Sequence, residues 1–316
     1  MKKKKLLVCG ATGFIGRNLV EKLVKRKDLE IYGTHFKSPA LSIEGFESIY
    51  ADLTDPSYID DLIKDKDIVI QAAATTSGAK DIIERPYIHV TDNAVMNSHI
   101  LRSVYENKVN HFLFFSCSVM YQSSKKPIKE IDFNPSQDIY PSYYGVGWTK
   151  VYIENICKFY SRLGTTKHTV FRNSNIYGPY DKFDQNKSHV FGATIAKVIN
   201  KQDDKLSVWG DGNAERDLLY VKDLVDLVDL AIDNQQSYFE LVNAGFGSSI
   251  SIKELVKKII KYSGREIEIV FDKKKPSINT QVCLDISKAR NIFDWEPKYN
   301  LEKGIKKTIE WYKTTV

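Results

Sequence analysis

The run Gly10-Ala11-Thr12-Gly13-Phe14-Ile15-Gly16 constrains this chain more than any other stretch. It follows the short apolar segment Leu6 to Cys9 and opens the amphipathic segment Phe14 to Val24, so the three glycines fall on a strand-to-helix turn. In that setting Gly10 permits the tight turn, Gly13 lets backbone approach a pyrophosphate, and Gly16 lets the helix lie close on the strand. The helix N-terminus adds N–H donors and the positive end of its dipole. A glycine-rich turn of purely structural purpose is the competing reading. The dinucleotide reading makes Gly10, Thr12, Gly13, Phe14, Ile15, Gly16 and Arg17 the first expected cofactor contacts.

Beyond the turn, short apolar runs alternate with amphipathic ones: Glu30 to Thr34, Ile59 to Lys64, Ile68 to Ala73 and Val95 to Tyr105. That is a βαβ pattern and implies a parallel sheet. Phe112 to Phe115 and Thr169 to Arg172 are unbroken apolar runs of strand length, as strands covered on both faces require. From about Gly178 the pieces interleave: Leu206 to Trp209, Val221 to Ile232, Phe239 to Ala244 and Ile252 to Tyr262. The fold expected is α/β, a Rossmann doubly wound parallel sheet with a smaller, mixed C-terminal substrate-binding region. Residues 1–178 would form the dinucleotide-binding domain, helped by later segments near 206–246, and residues 179–316 would mainly hold substrate.

At the end of the second strand, where an NAD site places an acid for the ribose hydroxyls, this chain reads Gly33-Thr34-His35-Phe36-Lys37. No acid stands there. His35, Lys37 and Arg17 could instead meet a 2′-phosphate, which favours NADP(H), with NAD(H) the alternative; the plainer reading leaves them as exposed basic residues. Asp52, beside Leu53, is placed for the adenine edge, and Ala72, Ala73 and Ala74 give a smooth strand end under the cofactor.

With 42% hydrophobic and 27% charged residues the chain can bury a sizeable core. No apolar run reaches the ~18 residues of a membrane span, and Lys2 to Lys5 lead into a strand rather than a signal peptide, so a cytoplasmic protein is expected. Cys9, Cys117, Cys157 and Cys283 are scattered without metal-ligand spacing and read as reduced thiols. The net charge of +6 is dispersed among acids, which argues for solvated faces or small anionic ligands and against nucleic acid.

The glycine turn, Asp52-Leu53, Asn93 in the fourth helical segment, Arg172-Asn173-Ser174-Asn175-Ile176-Tyr177-Gly178-Pro179 and Arg216-Asp217-Leu218-Leu219-Tyr220-Val221 together resemble extended short-chain dehydrogenases acting on nucleotide sugars. The resemblance spans essentially the whole chain. Asn175 through Phe183, Ser188-His189-Val190 and the tail from Lys275-Pro276 to Trp311-Tyr312 are most similar to GDP-fucose synthase. The resemblance implies redox chemistry at C4 of the sugar by a Ser or Thr, a Tyr and a Lys, the last two spaced Tyr-x-x-x-Lys. The ammonium lowers the phenol pKa and holds the nicotinamide ribose, and the phenol exchanges a proton with the sugar oxygen. It adds Asn93 to the cofactor contacts and implies Asn175, His189, Val190, Trp209 and Arg216 as substrate contacts. Arg216 would serve a phosphate oxygen, because a guanidinium fork matches one bidentately; a surface ion pair with Asp217 or Glu215 is the alternative. Lys187 and Lys275 are weaker candidates, and Trp295 and Trp311 read as packing residues.

The sequence departs from that family at the chemistry itself. Lys150 fits as the lysine, with Glu154 one turn later, but the tyrosine position is Val146 and the Ser/Thr position is Cys117, flanked by Ser116 and Ser118. One repair brings Tyr144 in from before the helix and requires non-helical backbone across Gly145 to Gly147, since its spacing to Lys150 is otherwise ~200° off. Another uses Tyr121, Ser116, Ser118 or a lysine-bound water, and a third accepts weak or absent C4 chemistry. His189 matches the acid/base for C3/C5 epimerisation, yet the partner cysteine of that reaction falls on Val119 or Ser118.

The reading that follows is a C4 reductase or epimerase/reductase on a GDP-4-keto sugar, a deoxyhexose or heptose for surface polysaccharide. A 4-epimerase or C4 dehydrogenase with tightly held NAD, and a dinucleotide-binding sensor or scaffold, are the alternatives. A homodimer is implied through the helices starting near Val95 and Thr149, with Val151, Tyr152, Ile153 and Ile156 as apolar surface.

Overall fold

The computed structural model describes residues 2–76, 84–184, 188–200, 204–275, 278 and 280–316. The strands that lead are β1 (Lys4–Cys9), β2 (Leu29–His35), β3 (Phe46–Tyr50), β4 (Ile68–Gln71), β5 (His111–Cys117) and β6 (Lys167–Asn173). With β10 (Phe239–Ala244) they form a seven-stranded sheet in the order β10-β6-β5-β4-β1-β2-β3, every neighbouring pair parallel. The order reverses between β1 and β4, which opens a crevice at the carboxyl ends of the strands where such sheets bind ligands. Continuous burial explains the continuous apolar runs: Phe112, Leu113 and Phe114 are at most 1% exposed.

Helices cover both faces. On one side α1 (Phe14–Leu23) and α6 (Val221–Asn234) pack together and share a core with β1, β4 and β10. On the other, α2 (Ile59–Ile63), α3 (Thr91–Glu106) and α4 (Tyr144–Ser161) cover the sheet through Leu62, Ile100, Val104, Ile153 and Cys157. Two α/β layers wound in opposite senses result, the doubly wound form expected.

The remainder builds a smaller layer. Strands β7 (Asn175–Tyr177), β9 (Glu215–Tyr220) and β11 (Ser249–Ser251) make a three-stranded mixed sheet, and β8 (Lys205–Trp209) pairs with β12 (Glu268–Asp272). Helices α5 (Val190–Asn200), α7 (Ile252–Ser263) and α9 (Leu301–Thr315) close a separate core around Tyr177, Phe191, Tyr220 and Ile309. Of the span 206–246, β8 and β9 lie in these small sheets, so only 221–244 serve the large one. Helix α8 (Ser287–Phe293) and Trp295 return to the large sheet's core, where the Trp295 indole donates to the Asp223 carbonyl at 2.9 Å.

The layers are stitched where β6 runs into β7. Asn18 of α1 donates to the Pro179 carbonyl at 3.0 Å, and Tyr180 donates to Glu21 at 2.6 Å. Among the described residues no helix is long and apolar enough to cross a membrane, and the four cysteines are unpaired.

Candidate active site

The glycine turn is built as a phosphate cradle. Gly10 sits at φ +75°, and a Cβ there would lie 2.6 Å from Ala73 Cα. At Gly16 a Cβ would stand 2.1 Å from the Gly10 carbonyl, so that residue sets how closely α1 rests on the turn. Thr34 fixes the turn from β2, its hydroxyl accepting from Gly10 N–H at 2.8 Å. No side chain caps α1 and no acid lies in its first turn, which leaves the N–H groups there open to an anion. A cofactor diphosphate fits this turn on its donors and on the room at Gly13, whose Cβ would come within 3.3 Å only of the Gly10 carbonyl.

The flanking candidates divide. His35 and Lys37 stand at the end of β2, His35 sharing a 3.0 Å hydrogen bond with Ser48 and Lys37 lying exposed over Phe36. Asp52 accepts from the Thr54 amide at 3.0 Å and from its hydroxyl at 2.7 Å, while Leu53 is buried at 6%. Arg17 pairs with Glu21 at 2.9 Å and lies over the face of Tyr180. Ala72, Ala73 and Ala74 follow β4 beneath the turn, Ala72 N–H donating to the Cys9 carbonyl. Asn93 serves the protein first, its amide accepting from Thr75 N–H at 3.0 Å and donating to the Thr75 and His89 carbonyls at 2.9 Å. At 4% exposure it holds the loop after β4.

The second wall is β5 facing α4. Lys150 donates to the Phe115 carbonyl at 2.7 Å and lies over the Phe114 ring at 4.6 Å. Its pKa is lowered by burial, against which the neighbouring Cys117 and Glu154 pull upward. Cys117 ends β5 with its thiol pKa raised by burial and drawn back by Lys150. The alternatives named for the missing phenol mostly fall away. Ser116 donates to Glu154 at 2.5 Å, and Glu154 forms a buried ion pair with Arg172 at 2.7 Å. Tyr121 donates to Asn243 at 2.8 Å and accepts from Arg172 at 2.9 Å, deep in the same network. Ser118 lies just past the strand, its carbonyl accepting from Tyr121 N–H.

Tyr144 corrects the main repair. Helix α4 begins at Tyr144 and runs unbroken through Gly145, Val146 and Gly147, so the non-helical backbone that repair needs is absent. Six residues of regular helix carry Tyr144 ~240° around from Lys150. It is 58% exposed and packs edge-on against Trp148.

From the smaller layer come Arg216 of β9 and His189 before α5, placed so that the Arg216 charge is felt by His189 and by Tyr143 at the start of α4. Arg216 donates to three backbone carbonyls, Glu215 at 2.7 Å, Ile278 at 2.8 Å and Thr280 at 3.1 Å, and has no carboxylate partner among the described residues. The alternative partner Asp217 faces the core, fully buried, and accepts from the amides of Phe246, Gly247 and Leu284. Glu215 turns to Ser249 and Gln281. Burial lowers the Arg216 pKa, and burial followed by Lys182, Arg216 and His89 lowers that of His189. His189, Lys150, Cys117 and Arg216 are all open to solvent on some face yet bear a desolvation cost. Groups in the wall of a cleft show that combination; groups on a convex surface do not.

Asn175 donates to the Asp217 carbonyl at 3.1 Å, Val190 opens α5, and Trp209 ends β8 at 41% exposure with Lys275 5.8 Å above its ring. A cavity of about 320 Å³ lined by Ser123, Asp211, Asn213, Glu215, Thr280 and Gln281 lies beside the Arg216 segment. Sequence reasoning did not find it, since its lining comes from separate loops. Lys187 and Pro276 lie outside the described residues.

Several known proteins are similar to this chain. GDP-L-colitose synthase of Yersinia pseudotuberculosis is 28% identical over 98% of this chain and 97% of its own length. GDP-L-fucose synthase of Escherichia coli K12 is 26% identical over 99% and 97%. Among solved structures, UDP-glucose 4-epimerase of Thermotoga maritima with UDP-glucose superposes with a TM-score of 0.87 at 24% identity, covering 98% of this chain and 99% of that one. That last likeness concerns the fold. The sequence model of the NAD dependent epimerase/dehydratase family matches residues 6–245, so the chain belongs to that family and is an enzyme of it.

Proposed function

We propose that this enzyme is an NADP(H)-dependent C4 reductase, or epimerase/reductase, acting on a GDP-linked 4-keto sugar of the deoxyhexose or heptose class for surface polysaccharide. Arg216 carries the reading: a largely buried guanidinium held by carbonyls and, among the described residues, without a carboxylate. Such a group is poised to donate to the oxygens of a doubly charged acceptor such as a diphosphate. The GDP linkage and the reduction are supported by the full-length likeness to GDP-L-colitose synthase and GDP-L-fucose synthase. The preference for NADP(H) is supported by His35 and Lys37 standing where an acid would favour NAD.

The bound dihydronicotinamide would supply the hydride. The chain's own residues orient and move protons: the glycine turn takes the cofactor diphosphate, Lys150 holds a positive charge behind Cys117, and Arg216 fixes the sugar nucleotide. His189, with its pKa lowered, is neutral near pH 7 and suits removal of a proton alpha to a ketone.

A homodimer in the cytoplasm is part of the proposal. Of the residues expected on its surface, Val151 and Ile153 are buried, whereas Tyr152 is exposed together with Val95, Tyr105 and Phe159 of α3 and α4.

The test is NADPH and NADH oxidation by the purified protein against GDP- and UDP-linked 4-keto sugars in heavy water. NADPH consumption with a GDP sugar supports the reading, and deuterium at C3 or C5 assigns His189 its role. Interconversion of UDP sugars at C4 without net cofactor loss would replace it with a 4-epimerase holding NAD, the activity named for the Thermotoga structure.

A further inference from the structure

With valine at position 146, the helix that presents Lys150 carries no phenol one turn before it. Tyr121, Tyr143 and Tyr144 flank the end of β5 or the start of α4, and the structure separates them. Tyr121 is bonded to Arg172 and Asn243 inside the core. Tyr144 is exposed on another side of α4. Tyr143 is different. It is the residue from which α4 starts, held by its own amide on the Tyr140 carbonyl at 2.7 Å. Seven residues separate it from Lys150, about 20° short of two full helical turns, and three separate it from Val146, so the three side chains share a face.

The Tyr143 ring packs with Cys117, Met120 and Ile139 against the end of β5. No hydrogen-bond partner of its phenol occurs among the described residues. Burial pushes the phenol pKa up and Arg216 draws it down, while Cys117 and Tyr140, the other titratable groups facing it, push up. Tyr143 therefore lies between the sugar-nucleotide cation, Arg216, and the strand end that Lys150 touches.

We propose that Tyr143, not a residue of the Tyr-x-x-x-Lys spacing, is the catalytic proton donor, reaching the C4 oxygen of the sugar from one turn further along the helix face vacated at Val146. The inference rests on the reductase reading. The bound dihydronicotinamide would be the reductant, supplying the hydride of the new C–H bond at C4, and the C–O π pair would move to oxygen. The O–H bond of Tyr143 breaks and its proton goes to that oxygen. The phenolate then takes a proton from water.

The test combines turnover with an ultraviolet titration of tyrosinate. Tyr143→Phe is expected to lower kcat by ~10²- to 10⁴-fold, the worth of a positioned acid, with NADP⁺ affinity within about twofold of the parent. Tyr143→Phe/Val146→Tyr, which restores the ordinary spacing, is expected to recover at least tenfold of that loss. In the NADP⁺ complex, the positive nicotinamide should lower the titration of one phenol, and that step should vanish in Tyr143→Phe alone. Undiminished turnover in Tyr143→Phe, or loss in Tyr144→Phe with Tyr143→Phe active, overturns the proposal and leaves the reductase reading standing. A cofactor-dependent phenol step lost in Tyr143→Phe, without turnover of any sugar, keeps Tyr143 in the site and removes the reductase reading instead.

Discussion

Ser116 donates a 2.5 Å hydrogen bond to Glu154, and that bond ties the end of β5 to α4 beneath the cleft. Glu154 answers Arg172 at 2.7 Å, with both side chains 5% exposed. The hydroxyl adjacent to Cys117 is therefore part of a buried charge network and not a free proton donor.

Glu154→Ala should destabilise the fold by about 3–5 kcal/mol, because it strands the Arg172 charge in the core. Ser116→Ala should cost only ~1–2 kcal/mol. Denaturant midpoints read both; equal small shifts would mean the ion pair is not what holds these elements together.

Gly16→Ala places a methyl 2.1 Å from the Gly10 carbonyl, where only backbone can yield. Dinucleotide binding followed by fluorescence should weaken at least tenfold, and the melting temperature should fall. Gly45→Ala, with nothing within 4 Å of its Cβ, tests the cost of positive φ alone, expected at ~1 kcal/mol.

Arg216→Gln removes the charge opposite a diphosphate. Charge-assisted hydrogen bonds contribute about 1.5–3 kcal/mol, so KM for the sugar nucleotide should rise by ~10- to 150-fold while cofactor affinity holds. Equal loss of cofactor binding would place Arg216 elsewhere in the site.

Acid should destabilise the protein through two buried histidines. His111, bonded to Thr169 at 2.7 Å, has its pKa pushed down to about 3, chiefly by burial, and burial pushes His168 down to about 4. Below pH ~6.5 the unfolded chain binds these protons while the folded chain does not. Stability is thus full above that pH and falls as the pH drops toward the folded values, by at most ~1.4 kcal/mol per unit for each histidine. Denaturant titrations at pH 7.5 and 5 check it. His111→Gln should flatten part of the slope.

The glycine turn and the long central strands were legible in sequence because burial on both faces leaves unbroken apolar runs, as in Phe112 to Phe115. Edge elements were not: β3 reads Phe-Glu-Ser-Ile-Tyr with no residue fully buried, and β7 and β11 are three residues long. Lys150 and Cys117 lie close enough for each charge to be felt by the other, and so do His189 and Arg216, two pairings that the family resemblance suggested and that spacing alone does not give. Tyr144 was misread for a local reason: two glycines in Gly145-Val146-Gly147 do not break a helix whose other positions pack. The role proposed for Tyr143 matches no sequence motif; it rests on where α4 starts and on the packing of that ring with Cys117, Met120 and Ile139.

The most direct test of the central claim is isotope transfer from NADPH labelled with deuterium at the transferred position of the nicotinamide. Incubated with a GDP-linked 4-keto sugar, the enzyme should place one deuterium at C4 of the product, seen by NMR, with matching loss of NADPH. Product without label at C4, or label retained entirely in the cofactor while the sugar changes, would contradict a C4 reductase.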